Sequence, residues 1–294
     1  MTSTVIVFGA SGLLGASLVP ALRARGYNVL AQGRSEGADL RLDPSDRAAV
    51  ATALAVHWPA AVVNLVAATN VDLCETQPEL AWQANAGIVA AIADGIAALS
   101  TEPAARPHLV HVSTDQVYDG PGPHAEDDVH PINVYGLSKY TGELLAERVG
   151  ATVLRSNFYG RSRCAGRISF SDWLVRSLRD KAPITVFDDV KFSAVHIDTL
   201  CAIIAHSIER RPAGIFNAGC RDGISKAGFA LALARTLDLP TDNVKVGSSA
   251  DVALKARRPL DMTLQISRLE AILELQCPAM SDEIEHTSKE YLND

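Results

Sequence analysis

Directly after the apolar run 4–8 stands Gly9-Ala10-Ser11-Gly12-Leu13-Leu14-Gly15, a G-x-x-G-x-x-G spacing that leads into an amphipathic helical pattern over 13–25. Few folds accept a strand that ends in three glycines at this spacing and runs straight into a helix. Gly9 permits the tight turn, and Gly12 lets the backbone approach a pyrophosphate. Gly15 allows the helix to pack close on the strand, and the N-terminus of that helix attracts the anion. The turn, including Ser11, Leu13 and Leu14, is therefore expected to bind a dinucleotide.

The following sequence repeats the alternation of short β-branched runs and longer helical stretches. Strands are expected at 28–32, 61–66, 109–113 and 152–155, and helices at 45–56, 78–99 and 135–149. The strands are apolar on both faces, as a sheet covered by helices on both sides requires. Past Gly160 the regularity drops, with helices expected at 169–179 and 199–208 and a strand at 184–187. The expected fold is α/β: a Rossmann doubly wound parallel sheet with a smaller C-terminal substrate-binding lobe. Residues 1–160 would form the nucleotide domain, with 190–212 returning to it, and 161–189 and 213–294 the lobe.

At 294 residues and 48% hydrophobic content the chain can bury a full core, and its formal charge of −7 without a basic run argues against nucleic acid or an anionic membrane as main partner. The five cysteines are scattered without a C-x-x-C pair, so neither a disulfide framework nor a zinc site is indicated. No basic segment precedes the first strand, and the Ala-rich stretch 86–99 is interrupted by Gly87, Asp94 and Gly95 and reads as a helix packed on a sheet. A cytoplasmic location is expected.

The second strand ends Ala31-Gln32-Gly33-Arg34, without the acidic residue that accepts ribose hydroxyls in an NAD site. A guanidinium at Arg34 suits a 2′-phosphate, so NADP(H) is the expected cofactor. Asp43 stands where a carboxylate could bond an adenine amine, or could cap the helix expected from Ser45.

Tyr135 and Lys139 are four residues apart and share one face of a helix. Hydride addition to a ketone leaves an alkoxide that must receive a proton, and a phenol donates it readily only if a cation lowers its pKa. Lys139 is that cation, and it can also bond the nicotinamide ribose. The strand 109–113 delivers Thr114 and Asp115 to the carboxyl edge of the sheet, where the Thr114 hydroxyl can polarise a substrate carbonyl beside Tyr135. Ser113 is the alternative hydroxyl, and strand alternation lets only one of the two face the ligand.

These segments together resemble the extended short-chain dehydrogenase/reductases, and within them the dTDP-4-dehydrorhamnose reductase group. Most specific are 113–120, 133–139 and the segment 64–85 with Val71, Asp72 and Glu75. The resemblance implies a Thr114, Tyr135, Lys139 triad, NADPH as hydride donor, a nucleotide-activated 4-keto-6-deoxysugar as substrate, and Ala67 and Ala68 lining the cofactor channel. Gln116 replaces the group's usual tyrosine, Arg155-Ser156-Asn157-Phe158-Tyr159-Gly160 replaces its Trp-containing segment, and residues 188–194 keep its later motif only in part. Both replacements lie near the expected sugar, so rhamnose specificity is not carried over. Asp115, Gln116, Asn157 and Arg258 are the expected substrate contacts. Ser17 stands where some members carry a glutamate for a metal-bridged dimer, so no metal is expected, and a homodimer is left open.

Arg161, Arg163 and Arg167 cluster at the entry to the lobe, where they could grip a diphosphate or remain solvated, and Arg257-Arg258-Pro259 resembles a substrate-side segment of the group. No histidine shows metal-ligand spacing; His111 is expected as a satisfied core residue and His196, beside Asp198, as a helix start. An epimerase or dehydratase with tightly held NAD is a second reading. A third is a non-catalytic NADP-binding regulator like the methionine adenosyltransferase beta subunit, which the family also resembles.

Overall fold

The computed structural model describes residues 3–292. A seven-stranded sheet forms its centre from β1 (Thr4–Phe8), β2 (Asn28–Gly33), β3 (Leu40–Arg41), β4 (Ala61–Asn64), β5 (His108–Thr114), β6 (Thr152–Ser156) and a last strand, Gly214–Ala218. From edge to edge the order is Gly214–Ala218, β6, β5, β4, β1, β2, β3, and every pair is parallel. The chain thus winds outward from β1 in both directions, the doubly wound arrangement expected from the sequence. Such a sheet reverses its winding beside β1, so the carboxyl ends of β1 and β4 border a crevice. Val5, Ile6, Val7, Val62, Val63, Leu109 and Val110 are fully buried, and helices cover both faces.

The strand Gly214–Ala218 lies beyond the limit of 212 set for the returning segment. Its backbone extends the sheet by pairing with β6 from Gly214↔Thr152 to Ala218↔Ser156, so the nucleotide-binding layer reclaims these residues from the lobe. A second correction concerns Asp43. The helix Arg47–His57 is capped by Asp46, which accepts from Ala48 and Ala49, while Asp43 accepts from the backbone and hydroxyl of Ser45.

One continuous helix runs Pro78–Leu99. Its 22 residues, one 18-residue stretch of which has a mean hydropathy of 1.2, have the length and composition of a bilayer span. It serves instead as an inner helix: Ile88, Val89, Ile92 and Ile96 are buried, and it packs on Arg47–His57 and on Val134–Glu147. Midway, Gln83–Gly87 opens into a π-helical turn. There Gly142 of the neighbouring helix comes so close that a Cβ would sit 2.3 Å from the Asn85 carbonyl oxygen.

The helix Val134–Glu147 is fastened to the sheet by a buried ion pair. Arg155, fully buried on β6, grips the Glu143 carboxylate through Nε and Nη2 at 2.6–3.1 Å and donates to the Tyr118 hydroxyl at 2.7 Å. Glu143 also accepts from Ser113, and Tyr118 donates to Asn217. Every member of the network has partners, which is what makes such burial tolerable. Arg155 therefore turns away from the sugar side on which the sequence reading placed its segment, while Ser156, Asn157 and Phe158 beyond it face the cavity described next.

The smaller part is built from short pieces, some of them drawn from segments expected in the nucleotide domain: Phe158–Tyr159 with Val195–His196, Ile184–Phe187 with Val244–Gly247, and a three-stranded sheet of Ile224–Ser225, Lys191–Phe192 and Asp261–Met262. The stack of Phe170, Phe192, Phe229 and Tyr159 fills its interior.

Candidate active site

The turn after β1 has the geometry its glycines suggest. Gly9 lies at φ +80°, and the Gly12 N–H closes the turn on the Gly9 carbonyl at 3.0 Å. A Cβ at Gly15 would fall 2.5 Å from the Gly9 oxygen, so the helix Gly15–Ala24 sits against the turn as only glycine allows. Gln32, buried on β2, fixes the turn from below: its amide oxygen accepts from the Gly9 N–H at 3.0 Å and its nitrogen donates to Leu42. Sequence reading passed over Gln32, because only the sheet brings it under Gly9.

Two chambers open from this turn and share Gly9, Gly12, Leu65, Ala67 and Arg167. The first, about 270 Å³, is lined by Ser11, Gln32, Gly33, Arg34, Asp43 and Pro44. Hydrogen bonds from Ser45 hold the Asp43 carboxyl below its usual range, with Arg34 adding to the effect. The second, about 320 Å³, is lined by Leu13, Leu14, Gly15, Thr69, Thr114, Asp115, Gln116, Tyr135, Lys139, Asn157 and Phe158. Of the expected channel residues, Ala67 borders both chambers and Ala68 borders neither. The Ala68 backbone is held away by Asn85, which accepts from its N–H at 2.8 Å and donates to its carbonyl at 3.2 Å. The same Asn85 amide donates to Ser138 at 2.9 Å. Thr69 takes the lining position instead.

Both residues at the end of β5 border the chamber, but the Ser113 hydroxyl is committed to Glu143, whereas the Thr114 oxygen accepts from the Gln116 N–H at 3.2 Å. Tyr135 is buried beside it. Burial drives the Tyr135 phenol above its ordinary pKa of 10, with hydrogen bonding to Thr114 opposing and the Asp115 charge reinforcing. The expectation that Lys139 would lower it is not met in this arrangement. The Lys139 ammonium is buried, donates to the Val112 carbonyl at 2.8 Å, and is itself pulled down to about 8 by burial, with Glu143 opposing. At neutral pH the phenol therefore keeps its proton and the lysine its charge. His111, beneath Lys139, is satisfied only in part: Nδ1 meets Asn64 at 3.1 Å, whereas Nε2 has no partner among the described residues.

Asp115 is buried next to Thr114 and accepts from Asn157 at 2.9 Å. Burial raises its carboxyl to about 6, with Asn157 and Lys226 opposing. Lys226 is a residue sequence reading missed: its ammonium lies 4.7 Å from the ring centres of Phe170 and Phe192, within Coulomb range of Asp115. Gln116 borders the chamber with its amide oxygen buried and unpartnered among the described residues.

Arg258 stands apart from Asp115, Gln116 and Asn157. It pairs with Asp72 at 3.1 Å and lines a separate cavity of about 840 Å³ with Arg257, Lys191 and Asp119. His196 caps the helix Ile197–Arg210 as expected, accepting from the Asp198 N–H. Folding also brings His196, Asp198 and His286 within 4.8 Å of one another, a grouping absent from the sequence spacing; the other His196 nitrogen faces Glu290 at 2.9 Å.

A glycine turn after the first strand of a doubly wound sheet, with threonine, tyrosine and lysine side by side at its carboxyl edge, defines the short-chain dehydrogenase/reductase class. The RmlD substrate binding domain model matches residues 3–293, and the chain belongs to that family, the dTDP-4-dehydrorhamnose reductase family. The dTDP-4-dehydrorhamnose reductase of Streptomyces griseus is 34% identical over 278 residues, covering 90% of this chain and 86% of that protein. Methionine adenosyltransferase 2 subunit beta of Rattus norvegicus is 27% identical over 293 residues, covering 91% and 82%. Among solved structures, the dTDP-4-dehydrorhamnose reductase of Bacillus anthracis in complex with NADP superposes with a TM-score of 0.88 at 25% identity, covering 99% of this chain and 100% of that one.

Proposed function

We propose that the protein reduces the keto group of a nucleotide-activated 4-keto-6-deoxysugar with NADPH, Tyr135 supplying the proton. The observation that carries this reading is the convergence of Thr114, Tyr135 and Lys139 on the chamber that opens directly from the glycine turn. The chain's own residues fit a dinucleotide: Gly9 and Gly15 let the turn, the 65–66 backbone and the first helix close up on one another, and that helix begins at the cleft without a side-chain cap. Arg34 in the first chamber and the lack of a carboxylate at the end of β2 favour the 2′-phosphorylated cofactor.

When bound, the cofactor supplies a hydride to the carbonyl carbon. Tyr135, with its proton retained by burial, donates it to the carbonyl oxygen as negative charge develops there, and Thr114 offers a second hydrogen bond to the same oxygen. Lys139, charged below about pH 8, orients the cofactor ribose. Asp115, Asn157 and the unpaired Gln116 oxygen bind sugar hydroxyls; Arg258 and Arg257 would hold the nucleotide end.

The test follows NADPH absorbance with a panel of nucleotide-linked 4-keto-6-deoxysugars, with Tyr135→Phe as control. Oxidation that disappears in the variant supports the reductase. NADPH binding without consumption of any substrate would sink it and favour a regulatory subunit resembling methionine adenosyltransferase beta.

A further inference from the structure

The arginines at the entry to the lobe have unequal surroundings. Arg161 donates to the Glu290 carbonyl at 2.8 Å, and Arg163 pairs with Asp198 at 3.1 Å and Glu290 at 3.8 Å. Arg167 has no ion pair or side-chain hydrogen bond among the described residues, and it is exposed. It is also the one residue of segment 161–169 that lines both chambers of the cofactor cleft.

The position of Arg167 follows from how its segment is tied down. The Cys164 thiol donates to the Ser11 carbonyl at 3.0 Å, pinning the segment on the glycine turn itself, while Arg161 and Arg163 tie its other end to Glu290 of the lobe. The other residues common to both chambers are Gly9, Gly12, Leu65 and Ala67. Gly9 and Gly12 are the place where a dinucleotide's diphosphate joins its two halves. An unpaired guanidinium at that junction presents planar, forked donors to a group with two negative charges.

We infer that Arg167 clamps the diphosphate of the bound dinucleotide from the lobe side, so that the cofactor is held between the two parts of the chain. The inference rests on the dinucleotide reading of the cleft. It assigns the diphosphate, rather than the 2′-phosphate, to Arg167. Loss of a charge-assisted, forked contact costs on the order of tenfold in affinity or more.

The experiment titrates the full chain with NADPH and with 2′-AMP, which lacks the diphosphate. Arg167→Ala is expected to weaken NADPH about tenfold or more and leave 2′-AMP within about twofold, with Arg167→Lys intermediate. An unchanged melting temperature of the variants controls for folding. Unchanged NADPH affinity overturns the clamp, and so does an equal loss for both ligands, which would assign the 2′-phosphate instead. A wild type that binds no nicotinamide dinucleotide overturns the cofactor reading and the clamp with it.

Discussion

Asn85 holds both backbone groups of Ala68 with one side chain, accepting from the N–H at 2.8 Å and donating to the carbonyl at 3.2 Å. Truncation to alanine leaves these groups unpaired in a partly buried place and releases Ser138, one residue before Lys139. Asn85→Ala is expected to lose about 2–3 kcal/mol of stability. Denaturant unfolding checks this, and a variant as stable as the wild type would show that the bonds are dispensable.

Tyr135→Phe removes the proton donor but little volume. Turnover should fall by about 10²–10⁴-fold while the dissociation constant for NADPH stays within about threefold. Because burial brings the Lys139 ammonium to about 8, reduction by the wild type should also decline as pH rises through that value. Stopped-flow rates from pH 6 to 9 read both.

Burial raises the Asp115 carboxyl to about 6 from an ordinary 3.8. Between about 4 and 6 the folded chain therefore holds a proton that the unfolded chain releases, and stability falls as pH rises through this window. Asp115→Asn should melt higher than the wild type at pH 7.5, and the difference should vanish below about pH 4. Melting curves of parallel slope against pH for the two proteins would refute the burial argument.

Removing Arg155 strands the buried Glu143 carboxylate. Arg155→Met is expected to cost about 3–5 kcal/mol, and adding Glu143→Leu should restore much of it. If the double variant is no better than the single one, the pair contributes through Tyr118 and Asn217 rather than through Glu143.

Arg34→Ala should weaken NADPH about tenfold or more and leave NADH within about twofold. Equal losses for the two cofactors would remove the 2′-phosphate from Arg34.

The sheet was legible because parallel strands buried on both faces are continuous apolar runs, as in Val5-Ile6-Val7 and Ala61-Val62-Val63. The strand Gly214–Ala218 escaped because it lies after the pattern has loosened and is recruited by pairing with β6, a contact no local window contains. Two-residue strands such as Lys191–Phe192 are too short to have a period at all. In the site, the glycine turn and the Tyr135–Lys139 pair could be read because each sits within one element. Gln32 under Gly9, Asn85 on Ala68, Arg258 on Asp72 and Lys226 near Asp115 are partnerships across the chain, and even where one member stood out in the sequence, as Arg258 did, no local pattern names its partner. The Lys139 ammonium was on the expected helix face, yet the Val112 carbonyl competes for it, which helical spacing does not reveal.

The fastening of the Tyr135 helix and of the Ala68 loop to the sheet has a practical meaning for anyone wishing to change what this protein accepts. Tyr135, Lys139 and Thr114 stand on a frame that one buried ion pair and one asparagine keep in register. Gln116 and Asn157 border the same chamber, Lys226 lies within Coulomb range of Asp115, and all three side chains are partly exposed. A library confined to those three positions would vary the substrate while leaving the reacting geometry in place, and would spend little of the protein's tolerance for mutation on refolding its core.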